Sequence, residues 1–145
     1  MIRTSLIAAT LAALAGFASV VPASANDVNI EQYGWSNRAG GAQNGYYNRI
    51  RSYQDGDYNG LAVHQRGNRN LSAIGQRGYN HYGATYQTGN GNVAGVGQFG
   101  SNHTTILTQD GNGNITAGVQ VGNGCAAKVR QGGNGNVAAF VQACD

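Results

Sequence analysis

Gln54-Asp55-Gly56-Asp57-Tyr58-Asn59-Gly60-Leu61-Ala62-Val63-His64-Gln65 is one unit of a repeat that runs through the chain. Within it Gly stands two residues after Gln, Asn five after, apolar residues seven and nine after, and the next Gln arrives at the eleventh. Every glutamine of the sequence obeys that spacing: Gln32, Gln43, Gln54, Gln65, Gln76, Gln87, Gln98, Gln109, Gln120, Gln131 and Gln142. Glycine follows at the second position in Gly34, Gly45, Gly56, Gly67, Gly78, Gly89, Gly100, Gly111, Gly122 and Gly133, and Cys144 takes that place only after the last glutamine. A fixed short period is the mark of a repeat architecture.

An eleven-residue period could also wind three turns of a helix in a right-handed coiled coil. The chain carries 24 Gly, and each interior Gly costs a helix roughly 1 kcal/mol against Ala. The apolar residues also alternate, as in Leu61 and Val63, which is the period of a strand. Each unit therefore reads as one short strand, from the Asn to the next Gln, and one tight bend built by Gly and Asn. Two bends return the chain to its starting direction, so 22 residues make one coil with two strands. The fold class expected is all-β, a two-sheet β-solenoid of about five stacked coils, or ten 11-residue units. At the inter-strand spacing the stack is about 24 Å tall. Residue i lies beneath residue i+22, and the Gln column and Asn37, Asn48, Asn59, Asn70, Asn92, Asn114 and Asn136 are expected to form side-chain amide ladders, as in cross-β stacks.

Residues 1–25 read as a signal peptide: Arg3, an apolar stretch from Leu6 to Val21, and the small-residue site Ala23-Ser24-Ala25. Its removal leaves no membrane span. A short lead-in, residues 26–31, carries Val28 and Ile30 and is expected to add a partial strand, and residues 32–145 form the repeat region without a linker. Without Arg3, eight basic residues face six acidic ones, a net charge of about +2 that does not argue for nucleic acid.

Sorted by parity, strands beginning at Asn37, Asn59, His81, His103 and Cys125 share one sheet, and those at Asn48, Asn70, Asn92, Asn114 and Asn136 the other. Inward pairs such as Ile50/Ser52, Leu61/Val63, Ser72/Ile74, Ala94/Val96 and Thr105/Leu107 suit a thin core. Leu71, Val93, Ile115 and Val137 then form an outward apolar column, joined by Val119 and Val141, of the kind that marks an interaction surface. Arg38, Arg49 and Arg51 give the first coil a basic, solvated exterior.

The unit Gln-x-Gly-x-x-Asn-x-(Ala/Leu)-x-x-x-Gln resembles the curlin repeat of curli subunits. The best copies are Gln54–Gln65, Gln87–Gln98 and Gln131–Gln142, and the likeness covers Gln32 to Gln142. The resemblance implies a β-solenoid protomer, export through an outer-membrane secretion channel while unfolded, and self-polymerisation into extracellular functional-amyloid fibres (a fimbrium). It further implies adhesion, a role in the biofilm matrix, dye binding, and partnership with a nucleating or major-subunit paralogue. Three features depart from the family: only about six residues separate leader from repeats, the C-terminus lacks the minor subunit's basic tail, and the pair Cys125 and Cys144 is atypical.

Physics points the same way. Both ends of a strand stack present unpaired backbone groups, and the sole proline, Pro22, lies in the leader. A head-to-tail contact that does not close makes a filament. His81 and His103 take the Asn position 22 residues apart, with Cys125 next in that column. Imidazole and thiolate suit a metal, but the column reads better as polar substitutes for Asn, so no metal or other cofactor is expected. Cys125 and Cys144 face one another across a bend, where a disulfide, two free thiols and an intermolecular bridge all remain open. No paired carboxylates, nucleophile–base arrangement or phosphate loop stands out, so no catalytic residue is assigned. The competing class is a monomeric solenoid binding a surface or carbohydrate through Trp35, Tyr46, Tyr47, Tyr58 and Tyr79; ice binding would need a broader Thr array than Thr104 and Thr108.

Overall fold

The computed structural model describes residues 25–145, so all of the leader but Ala25 lies outside the described residues. Eleven strands follow one another: β1 (Asp27–Tyr33), β2 (Arg38–Asn44), β3 (Arg49–Asp57), β4 (Gly60–Arg66), β5 (Leu71–Tyr79), β6 (Tyr82–Thr88), β7 (Val93–Ser101), β8 (Thr104–Asp110), β9 (Ile115–Asn123), β10 (Ala126–Gly132) and β11 (Val137–Cys144). Odd strands build a six-stranded sheet in the order β1-β3-β5-β7-β9-β11, and even strands a five-stranded sheet, β2-β4-β6-β8-β10. All neighbours are parallel, and each residue faces the one 22 positions on, as Gln54 faces Gln76 and Leu61 faces Gly83. The chain is the β-solenoid that the eleven-residue period implies.

Two details differ from the sequence reading. The lead-in supplies a full strand, because β1 pairs with β3 over seven residues from Asp27↔Arg49 to Tyr33↔Asp55. Strands β3, β5, β7 and β9 are also nine residues long, against seven in the other sheet. At the bend after the odd strands, pairing continues through Gly56↔Gly78 and Asp57↔Tyr79. The opposite bend turns immediately after Gln and its neighbour.

Alternation decides the interior. Ile50, Leu61, Val63, Ile74, Ala94, Val96 and Leu107 form the apolar core, with Ala39, Val129 and Phe140 packed against it. The core is thin, and buried Gln, Asn, Ser and Thr outnumber its apolar residues. A buried amide without a partner costs about 1–3 kcal/mol, so this fold depends on how completely those groups are paired.

Candidate functional site

The Gln side chains point inward and form two continuous files. In one, Gln32, Gln54, Gln76, Gln98 and Gln120 each donate from Nε2 to Oε1 of the next, ending at Gln142, over 2.6–3.0 Å. In the other, Gln43, Gln65, Gln87 and Gln109 do the same up to Gln131, at 2.8–2.9 Å. The second N–H crosses the core to a carbonyl 16 residues back, such as Gln65 to Arg49 O at 3.0 Å and Gln87 to Leu71 O at 2.9 Å. Each amide thus joins consecutive coils and also ties one sheet to the other. From Gln54 to Gln120 these side chains are buried.

The Asn files differ from the expected amide-on-amide ladder. Asn48 Oδ1 accepts the backbone N–H of Asn70, Asn70 that of Asn92, and Asn92 that of Asn114, each at 3.0 Å. Nδ2 donates instead to a bend carbonyl of the next coil, as from Asn70 to Gly89 O at 2.8 Å. Asn37 and Asn59 follow the same scheme in the other file, and Asn136 closes the first. Direct amide contacts occur at Asn70–Asn48 and Asn136–Asn114. Asn is one methylene shorter than Gln, so it reaches the backbone of the bend more readily than the next amide.

The same interactions recruit residues that the sequence reading did not assign. Asn26 Oδ1 accepts the N–H of Asn48, beginning that file one coil earlier. A further exposed file, Asn68, Asn90, Asn112 and Asn134, accepts the backbone N–H of the residue 22 before, at 2.9 Å. Its signal was present in the sequence as Asn recurring at 22 residues.

The bends explain the glycines. Gly111 has φ +119°, and a Cβ built there would meet Gly133 O at 1.9 Å. Conformation and close approach of the next coil both demand glycine. Two residues later the chain is again left-handed, but with open space, as at Gly113 with φ +65°. Other coils fill that later position with Ser36, Tyr47, Tyr58, Arg69, Asn80 and Asn102, all at φ near +57°.

His81 and His103 are buried and stack with centroids 5.0 Å apart and planes 7° from parallel. His81 Nδ1 accepts the backbone N–H of His103 at 3.3 Å, and His103 Nδ1 that of Cys125 at 3.1 Å. Nε2 of each lies about 3 Å from a carbonyl, that of Arg77 or Phe99. Both rings are therefore neutral Nε2–H tautomers, reproducing the acceptor and donor of Asn and keeping no lone pair for a metal. Burial first, and then the neighbouring His103, lowers the His81 pKa below its ordinary 6.5, against the pull of the Arg77 and Gly100 backbone. A His held neutral by the fold stabilises it fully above the unfolded value and loses that contribution as pH falls through the lowered one. Acidification from pH 8 to pH 5 is thus expected to lower the urea midpoint of the monomer, and a His81→Asn/His103→Asn variant to lose distinctly less. An equal loss in both proteins would assign the acid sensitivity elsewhere.

Cys125 and Cys144 are joined by a disulfide with Cα atoms 5.6 Å apart, tying the end of β11 to the start of β10. Of the bend aromatics, Tyr58 and Tyr79 meet at 5.5 Å, whereas Trp35 is 76 % exposed. On the outer side of the six-stranded sheet, Leu71, Val93, Ile115 and Val137 stand in one column, and a shallow trough lined by Ala73, Gly95 and Ala117 runs two residues along the strands from it. Exposure rises along the column to 73 % at Val137. Arg51 pairs with Asp27 and Arg77 with Asp55 on the exterior, where such pairs contribute little. Among the described residues no helix is long and apolar enough to cross a membrane.

The stack ends in open edges, β1 and β2 below, β10 and β11 above. The amide files are polar in the same sense. Oε1 of Gln32 and Gln43 accepts no bond from below, and Gln131 and Gln142 each donate one N–H, to Ile115 O and Ala126 O, with the other directed at no partner. Residues 82–111 match the family model described as curlin associated repeat. No curated protein matches the chain.

Proposed function

We propose that this chain, which belongs to the curlin-repeat family, is an exported structural subunit that polymerises head to tail into an extracellular amyloid-type fibre. The observation that carries the reading is the complementary pair of ends. One offers amide acceptors and a strand edge, and the other offers amide donors and a strand edge. Globular β-proteins blunt exposed edges with charge, proline or a covering element, and among the described residues no element lies across either end. Adding a copy continues both Gln files at the spacing they already have, so each addition regenerates the surface that received it. Adhesion and a role in a biofilm matrix follow from a fibre with exposed aromatic corners. A secretion channel and a nucleating or major-subunit paralogue complete the proposal.

Purified chain from residue 26 onward, desalted from denaturant and incubated quiescently, is expected to form fibres that bind amyloid dyes. Their diffraction should show the inter-strand spacing of about 4.8 Å and an inter-sheet spacing of about 10 Å. Addition of sonicated fibres should abolish the lag. A chain that folds and stays monomeric at every concentration would instead favour the surface-binding solenoid.

A further inference from the structure

The two ends match each other in only one orientation. A continuous spiral places β2 half a rung above β1, and β11 half a rung above β10. The next vacant rung above this stack therefore lies over β10, in the five-stranded sheet, whereas the lowest strand of an incoming copy is β1, from the six-stranded sheet. We infer that successive copies are related by a half-turn about the fibre axis, with β10 pairing with β1 of the next copy and β11 with its β2. This inference rests on the head-to-tail polymer proposed above and specifies its interface. Without the half-turn, β1 would dock on β11, and β2 would then sit two rungs above β10. A gap of one strand would leave two backbone edges unpaired inside the fibre, each buried group costing about 1–3 kcal/mol.

Side chains favour the same orientation. The internal 22-residue register, extended upward, sets Gln131 under Gln32 and Gln142 under Gln43 of the next copy. Arg130 then lies beside Glu31, and Lys128 beside Asn29 between Asp27 and Glu31. Glu31, Lys128 and Arg130 are exposed, and they take no part in the ion pairs found among the described residues. The core matches too. Phe140 leans over Gly118, where an added Cβ would fall 2.0 Å from its ring. In the turned arrangement the residue above Phe140 is Gly41. Gly41 and Gly118 are the glycines among the inward residues nine after Gln, so the one aromatic of the core has a glycine below it and a glycine above it, with only the flexible δ-methyl of Ile50 reaching into the space at Gly41. The unturned arrangement instead puts Phe140 under Ile30, and Val137 and Val141 beside Asp27 and Glu31. A further consequence is that the apolar face of the six-stranded sheet alternates between the two sides of the fibre.

Lys128 is the sole lysine of the sequence, which makes the arrangement readable by zero-length carbodiimide cross-linking. Fibres grown from equal parts of unlabelled and nitrogen-15 chains should yield peptides joining Lys128 to Glu31 or Asp27, half of them of mixed isotope. Monomer should yield none, since those residues lie at opposite ends of one copy. Fibres that form but lack this link overturn the half-turn and leave head-to-tail growth standing, whereas failure to form fibres overturns both. A Glu31→Arg variant should elongate wild-type seeds about tenfold more slowly, through like charges at the contact, and Glu31→Arg/Arg130→Glu should recover self-seeded growth. Equal growth of Glu31→Arg and wild type counts against the arrangement.

Discussion

Gly111→Ala should lose more than about 4 kcal/mol of stability, a loss large enough to leave the monomer largely unfolded. Gly113→Ala, two residues along the same bend, should lose only about 1 kcal/mol. Both glycines have positive φ, +119° and +65°. The second value lies in the left-handed region that an L-residue enters at modest cost, and nothing stands within 4 Å of the added carbon. The first requires a conformation that L-residues rarely adopt and places Cβ 1.9 Å from the Gly133 carbonyl oxygen. That oxygen belongs to the backbone of the coil above, which is tied down to this one by Gly133 N–H donating to Asp110 O at 2.9 Å. Relief therefore means parting two coils. Far-UV circular dichroism against urea on freshly desalted monomer separates the two variants, and similar midpoints would show that coils do not pack as closely as described.

The second large effect lies inside the stack. Gln87→Leu keeps side-chain size but removes an amide that receives Gln65 Nε2 at 2.8 Å and donates to Gln109 Oε1 and Leu71 O, each at 2.9 Å. Three groups lose a partner, at about 1–3 kcal/mol each, so a total loss of about 3–9 kcal/mol is expected. Gln43→Leu, at the lower end of the same file and only partly buried, should cost the monomer appreciably less. It should nevertheless slow fibre elongation, because the missing acceptor faces the incoming copy. Unfolding midpoints and seeded growth rates read these effects separately. A Gln87→Leu monomer as stable as wild type would mean that apolar packing, and not the amide file, holds the coils together.

Much of this was legible from spacing alone. Eleven glutamines on one period determined a 22-residue coil, the two sheets, the register and the inward positions, because a strand's side-chain alternation and a parallel stack leave one arrangement that superposes like on like. The glycine positions were legible for the same reason, since a recurrent bend needs the same backbone freedom in every coil. The outward apolar column was also readable by parity alone: Ile115, Val119, Val137 and Val141 are exposed, and Leu71 and Val93 half-buried.

What spacing could not decide depends on reach and direction in three dimensions. One methylene separates Gln, which meets the next amide, from Asn, which meets the bend backbone instead. The His81–His103 column could be read as an Asn substitute from its place in the repeat, but which ring nitrogen accepts from the next coil and which meets a bend carbonyl is set by the geometry alone. The Cys125–Cys144 pairing turned on whether a coil corner brings two Cα atoms to 5.6 Å, a distance that period and parity leave free. The lead-in's promotion to a full strand likewise came from pairing along β3, because its own residues lack the Gln-Gly signature. A repeating sequence therefore determines what lies above what, while the tertiary structure decides which atoms actually touch.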